Sequence, residues 1–399
     1  MKIRLFICSF YLLAILPCAL MAAVTEVNID PDAKKLTVDA GMRYVDNYHP
    51  QLQEGISAYG ISTTLSGKLV TLGDALWGQV SYSWQHNQFK PDATVLSLDD
   101  KFNNYQVDFV GRLFVSHSWY FDVNVSHDHV DEFLDEGIAR FQSATNLANS
   151  YALNQASGVA VYGRETSQNS IARLVKFGIY YSSKSFEDSN VYSTQFDVAR
   201  SRVSAELYYG VSELTSIETV VEFEQFDYVD ETNVDNDLYR VLVGLEWKSS
   251  GKTKLEVLLG GYQRVYVSGP KQQGFLAEIE GEYVPSEDFA VRLGIFQRSV
   301  ADVTAVATNT ISKSASLDLD YQLREHIGWN INLLVSQTEY ELVDDMRQTD
   351  ETSFGSSLQI SMFDYSAINL KLSRESLTDD SIYLNYTQNK VELNWHHEF

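Results

Sequence analysis

The sequence predicts an all-β protein: a transmembrane, antiparallel, up-and-down β-barrel of about eighteen strands, with sixteen as the alternative count, around a water-filled lumen. Aromatic residues make up 13% of the chain, yet its mean hydropathy is slightly negative, at −0.20. Abundant aromatic side chains without overall hydrophobicity are typical of strands that alternate lipid-facing and water-facing residues. Beyond the first segment, no apolar run approaches the roughly 18 residues that a transmembrane helix requires.

The first segment, Met1–Ala23, has the parts of a secretory signal peptide. Lys2 and Arg4 form a basic start, and Leu5–Leu20 is almost unbroken apolar sequence. Small residues follow, and we expect cleavage at the end of the segment. Residues 24–399 then remain as a single barrel domain.

Both cysteines, Cys8 and Cys18, lie within this segment. A lipoprotein site at Cys18 is the alternative, but Pro17 stands where lipidation needs a small residue. The cleaved chain therefore has no thiol for a disulfide, a nucleophile or a metal ligand. The formal net charge of −24 counts against nucleic acid as a partner, because nucleic-acid binding needs a basic surface.

Apolar residues recur at every second position along most of the remaining chain, which is the period of a strand with one apolar and one polar face. Clusters of Gly, Ser, Asn and Asp separate these stretches, as expected for turns. The predicted strands, in chain order, are Leu36–Tyr44, Tyr59–Leu65, Leu76–Trp84, Tyr105–Leu113, Trp119–Val125, Val159–Arg164, Ser170–Ser183, Tyr192–Tyr209, Ile217–Tyr228, Leu238–Trp247, Leu255–Val267, Phe275–Tyr283, Phe289–Phe296, Ser314–Leu323, Trp329–Tyr340, Phe354–Met362, Ile368–Leu377 and Ile382–Phe399.

Tight turns and longer connections alternate between the predicted strands. Tight turns such as Val211–Leu214 and Ser249–Lys252 follow even-numbered strands, and longer loops follow odd-numbered ones. Bacterial barrels show this parity, with the tight turns on the periplasmic side. The longest non-periodic stretch is Val130–Ala156, an external loop that could occlude a pore. Near Arg200–Arg202 the apolar positions change from even to odd numbers, which predicts a β-bulge.

The last strand ends in the alternating run Val391–Phe399, in which Val391, Leu393, Trp395 and Phe399 share one face. A terminal amphipathic strand closed by Phe resembles the C-terminal signature of bacterial outer-membrane β-barrels. The resemblance implies that this strand pairs with the first one, and that the barrel-assembly machinery reads Trp395 and Phe399 as an assembly signal. A soluble sandwich whose last strand happens to end the chain is the alternative.

The polar face of the predicted strands carries many charges. A dry core could not hold them without a large desolvation cost, so they predict water inside the barrel, and about eighteen strands is the size at which a barrel encloses an aqueous channel. Pairing of acids and bases across the wall as structural ladders is the alternative role. The candidate lumen-lining residues are Arg112, Glu222, Glu246, Glu256, Arg264, Glu278, Glu280, Glu282, Arg292, Asp318 and Asp320.

Catalytic and metal-binding motifs are absent from the sequence. His127 and His129 share one face of a strand near an external loop, a spacing that suits a metal, but no third ligand is identifiable. A solvated loop edge explains the pair better. We therefore expect no enzyme activity, no cofactor and no metal.

The hairpin Asn104–His129, together with the strand Val159–Arg164, resembles outer-membrane β-barrel porins encoded in exopolysaccharide and capsule gene clusters. The resemblance implies a role in exporting or assembling such a polysaccharide across the outer membrane of a Gram-negative bacterium. A general diffusion porin, or a structural barrel whose loops make surface contacts, is the alternative. The expected partners are outer-membrane lipid and lipopolysaccharide, the barrel-assembly machinery, a polysaccharide and periplasmic export proteins.

Overall fold

The structure is a computed structural model. It describes residues 34–48, 56–92, 100–116, 118–133, 149–164, 173–187, 193, 196–229, 235–249, 251–267, 269, 271–300, 309–341, 346–363, 365–379 and 385–399. The predicted signal peptide lies outside these residues. Among them, no helix has the length and apolar character needed to cross a membrane.

The described residues form eighteen strands, which confirms the predicted count. Their bounds are β1 Lys34–Val45, β2 Ala58–Leu72, β3 Leu76–Pro91, β4 Lys101–Phe114, β5 Trp119–Asp131, β6 Ser150–Arg164, β7 Arg173–Phe186, β8 Val198–Gly210, β9 Thr215–Tyr228, β10 Asn236–Ser249, β11 Thr253–Tyr266, β12 Gln272–Ser286, β13 Phe289–Ser299, β14 Asn309–Arg324, β15 Ile327–Glu341, β16 Met346–Phe363, β17 Ser366–Asp379 and β18 Tyr386–Glu398.

Each strand pairs antiparallel with its neighbours in the chain, and the sheet closes where β1 pairs with β18. The closing register runs from Thr37 opposite Glu398 to Val45 opposite Lys390. The amide of Phe399 also donates a 2.8 Å hydrogen bond to the carbonyl of Leu36. Closure removes the unpaired edges that an open sheet would present, so the fold is a closed barrel.

Alternation sorts the side chains of every strand onto two faces. Large apolar residues stand exposed on the outside, for example Ile61, Ile179 and Leu393, and Ile179 is 65% exposed. A soluble protein would not leave such a continuous apolar surface in water. The outer face is therefore suited to lipid, and the opposite face of each strand lines the interior.

The connections largely follow the predicted parity. Short turns such as 211–214 and 250–252 follow even-numbered strands, whereas longer segments follow odd-numbered ones. The connection 165–172, between β6 and β7, is the longest after an even-numbered strand. By the parity rule, the short turns mark the periplasmic end.

Two sequence predictions about irregular segments need correction. The stretch Val130–Ala156 is shorter as a loop than expected, because β5 continues to Asp131 and β6 begins at Ser150. The bulge predicted at Arg200–Arg202 is wrong, since β8 pairs with both neighbours without a register shift. The apolar residues change face there because Val198, at the start of β8, packs on an apolar cluster inside the barrel.

The interior is not uniformly polar. One apolar cluster lies on the inner face of β9 to β12 and includes Leu242 and Leu276, both essentially buried. A second lies near the external ends of β1 to β5 and includes Phe89 and Phe102. These clusters fill part of the interior, so charged residues face the lumen only along certain sectors of the wall.

Candidate channel interior

All eleven candidate lumen residues fall on the inner face, opposite the exposed apolar side chains. The barrel separates Arg112 from the other ten. Arg112 belongs to β4, whereas the others belong to the continuous sector β9–β14. Their role in permeation stays a prediction, but their contacts distinguish structural pairs from charges that are open to the lumen.

Arg112 is engaged in a local pair. Its Nε and Nη2 donate 2.7 Å hydrogen bonds to the two carboxylate oxygens of Asp122, opposite it on β5. The guanidinium also lies 4.3 Å from the ring centre of Tyr120. A bidentate pair that also stacks on a ring holds the geometry of the wall firmly.

A row of side chains with alternating charge crosses the inner wall from β9 to β13. Arg240 pairs with Glu222 on β9 and, at 3.2 Å, with Glu278 on β12. Arg298 donates a 2.8 Å hydrogen bond to the same Glu278. Neighbouring charges of opposite sign satisfy one another here, as the alternative of structural ladders expects.

Arg264 is an exception among the candidates because its side chain is only 1% exposed. Its guanidinium donates to Asn236 Oδ1 at 2.7 Å, to Ser299 Oγ at 3.1 Å and to the carbonyl of Val300 at 3.2 Å. It also lies 5.2 Å from the ring of Phe226. These contacts link β11 to β9, β10 and β13 through neutral groups. Arg264 therefore has a structural role in the wall.

Three glutamates stand side by side on adjacent strands. Glu246 of β10 is in register with Glu256 of β11, which is in register with Glu280 of β12. Lys254 contacts both Glu246 and Glu256 at 3.2 Å, and Lys248 contacts Glu246 at 3.3 Å. Like charges directly opposite each other destabilise a sheet, and Lys254 offsets this for two of the three.

A second charged group lies next to this row, towards the periplasmic end. Arg292 donates to Glu282 at 3.2 Å and to Asp320 at 2.5 Å. Asp320 also accepts a 2.8 Å hydrogen bond from the amide of Asn330. All three charged side chains are partly exposed, so solvent reaches them.

Glu280 and Asp318 differ from the other carboxylates of this sector. Neither has a hydrogen bond or an ion pair with any residue that the structure describes. Both line a hollow of about 310 Å³ in the inner wall, together with Lys254, Arg292 and Ser316. Gly294, which lies between Glu280 and Ser316 in the register, also lines the hollow.

Sequence reasoning missed several charged residues on the inner wall. Arg200 pairs with Glu224, Arg202 is 3.8 Å from Glu222, and Lys176 is 3.7 Å from Glu206. The erroneous bulge hid the two arginines, because it confused the face on which they lie. Continuing the even-numbered inner positions through β8 would have found them.

The histidines noted in the sequence lie on the outer face. His127 is 2.7 Å from Asn154, and His129 is 3.2 Å from Glu187 and stacks on Tyr105 with ring centres 4.8 Å apart. Nowhere in the described ranges do three or more His, Cys, Asp or Glu residues form a group that could hold a metal ion. The pair forms a polar edge above the apolar band of the wall.

Comparison with known proteins bears on the fold. No protein-family model matches the chain, and no curated protein matches it. Among solved structures, a BenF-like porin from Pseudomonas fluorescens Pf-5 matches with a TM-score of 0.50 at 10% identity, over 92% of this chain and 99% of that one. The fold is that of an outer-membrane porin. OccK2 (OpdF) from Pseudomonas aeruginosa matches with a TM-score of 0.48 at 11% identity, over 92% and 98% of the two chains.

Proposed function

We propose that the chain forms a water-filled channel in the outer membrane of a Gram-negative bacterium, through which small hydrophilic solutes diffuse. The observation that carries the proposal is the closed eighteen-stranded barrel, apolar outside and charged inside. A barrel of this size leaves room for an aqueous passage. The partly exposed charges of Arg292, Glu282 and Asp320 support it, since they require water at the inner wall.

Export or assembly of an exopolysaccharide or capsule is a narrower proposal. It rests on the resemblance of the hairpin Asn104–His129 to porins encoded beside such pathways. The inner apolar clusters and the structural ladder restrict the interior, which favours small solutes over a polymer chain. Partnership with lipopolysaccharide, the barrel-assembly machinery and periplasmic export proteins is proposed on the same sequence grounds, as is removal of the signal peptide.

Conductance in a planar lipid bilayer tests the channel. We expect refolded protein that starts at residue 24 to give discrete, steady current steps in potassium chloride. Heat-unfolded protein is the control, and tryptophan fluorescence shows that the tested sample is folded. A folded barrel that passes no current would contradict the proposal and leave a structural barrel.

A deletion separates the diffusion channel from a gated exporter. The variant lacks residues 134–148, which lie between β5 and β6 and outside the two strands. A diffusion channel conducts with and without this segment. A channel that conducts only after the deletion, and then admits a neutral dextran that the intact protein excludes, would favour export instead.

A further inference from the structure

The inner wall of β9 to β14 carries more carboxylates than its cationic side chains neutralise. Lys254 is shared between Glu246 and Glu256, and Arg292 is shared between Glu282 and Asp320. Glu222, Glu224 and Glu278 pair with arginines. The other carboxylates of the sector have no cation at contact distance among the described residues. They are Glu218, Glu280 and Asp318.

Glu280 and Asp318 line the hollow beside Gly294 without a hydrogen bond or ion pair from the described residues. Arg298 and Lys254 act on Glu280 electrostatically but do not contact it, because they are engaged with other glutamates. Together with Glu282, these carboxylates outnumber Lys254 and Arg292 in the lining of the hollow. The excess negative charge attracts a cation from solution, and low-dielectric walls strengthen that attraction.

Glu218 provides a separate observation. Its side chain is 3% exposed, and its Oε2 atom is buried without a hydrogen-bond partner in the described part of the chain. It is in register with Gly244, which has no side chain beside it. The carboxylates of Glu256 and Glu246 repel its negative charge. A buried carboxylate oxygen without a hydrogen-bond donor carries a large desolvation cost.

The chemistry of the sector defines the class of ligand. No group of three or more acidic, histidine or cysteine side chains in the described ranges has the geometry to chelate a metal ion. The open carboxylates are instead spread along the wall, and the ring of Phe296 lines the same hollow. Dispersed carboxylates beside an aromatic ring suit a monovalent or organic ammonium cation, which binds weakly and moves on.

We propose that this acidic sector is a binding site for small cations, organic ammonium ions included, and that it makes the channel cation-selective. The proposal rests on the channel function proposed above and names its substrate class. Anions would meet the carboxylates of Glu280 and Asp318 and be repelled. Cations would pass from one carboxylate to the next along the wall.

Reversal potential in a potassium chloride gradient tests the selectivity. We expect the intact channel to give the sign of a cation-selective pore, and the double variant Glu280→Gln with Asp318→Asn to shift the potential toward zero. The matched control is Asp227→Asn with Asp350→Asn, which removes the same charge from exposed residues on the outer face. The control should keep the potential of the intact channel.

A second measurement tests whether the hollow is the cation-binding site. We expect 1,4-diaminobutane to interrupt the potassium current of the intact channel, and expect that block to disappear in the double variant. Gly294→Ala retains every charge but displaces the lining of the hollow, because the added Cβ would clash with Phe296 at 2.6 Å and Ser316 at 2.8 Å. It should weaken the block and keep the sign of the reversal potential.

The outcomes separate the two proposals. A conducting channel that prefers anions, or that has no preference, would overturn cation selectivity and leave the channel function intact. Cation selectivity that survives the double variant, with an unchanged diaminobutane block, would overturn the assignment to Glu280 and Asp318. Absence of any conductance in the folded protein would overturn the channel function itself.

Discussion

At the scale of single residues, burial decides what a carboxylate does in this barrel. Glu218 and Glu280 both lack a cationic partner at contact distance, but Glu218 is almost fully buried and Glu280 is exposed to the lumen. A charge held away from water costs free energy, whereas a hydrated charge costs little. The first therefore acts on stability and the second on permeation.

The difference in burial predicts different effects on stability for two similar substitutions. Glu218→Gln removes the buried charge, so we expect the free energy of unfolding to rise by about 1–3 kcal/mol. Glu280→Gln should leave it within about 0.5 kcal/mol of the parent. Guanidinium unfolding from lipid vesicles, followed by tryptophan fluorescence, measures both. A Glu218→Gln variant less stable than the parent would contradict the expected gain from removing the buried charge.

Arg264 predicts a loss of stability instead. Arg264→Met keeps much of the side-chain volume but leaves Asn236, Ser299 and the carbonyl of Val300 without their donor. Each buried group without a partner costs about 1–3 kcal/mol, so the same assay should show a clear decrease. Arg292→Met is the control, and its smaller effect follows from its exposure to solvent.

At the scale of the strands, the β1–β18 seam closes the barrel with polar contacts on its inner face. Lys35 contacts Glu398 at 3.4 Å, Asp39 contacts His396 at 2.6 Å, and Arg43 contacts Glu392 at 3.4 Å. Between the last two pairs, the side chain of Asn394 lies over Gly41. The absence of a side chain at Gly41 lets the two strands close.

The seam therefore depends on a small residue at one position. Gly41→Ala would place a Cβ against Oδ1 of Asn394 and near Oγ of Ser62. We expect overpacking to lower the free energy of unfolding by about 1–3 kcal/mol. Gly281→Ala is the matched control, because its Cβ would meet only Leu255 and Leu293 at 3.9 Å. Equal stability of the two variants would show that the seam adapts without cost.

At the scale of the whole molecule, the sequence was sufficient for the strands and their faces. Lipid outside and water inside impose a period of two on each strand, and a run such as Leu238–Trp247 displays it directly. The prediction of a β-bulge at Arg200–Arg202 was wrong. Val198 packs on an apolar cluster inside the barrel, so the inner face of this strand is not polar throughout.

The candidate site was less accessible to sequence reasoning. Parity alone placed Glu280 and Arg264 on the inner face, but only the register shows that Glu280 has no cation while Arg264 is enclosed. The partners of a residue in a barrel lie on other strands, far away in the chain. Sequence reasoning did not identify Glu218, because nothing in its own strand indicates how deeply its side chain is buried.

The seam also sets the order of events during folding. Asp39 and His396 are 357 residues apart in sequence, whereas every other pairing among the described strands joins neighbours in the chain. Contacts between neighbours can form early, but a contact of such separation must wait until both ends are present and brought together. Until then β1 and β18 would each present a free edge, so the unsealed barrel is the state most exposed to mispairing with another chain.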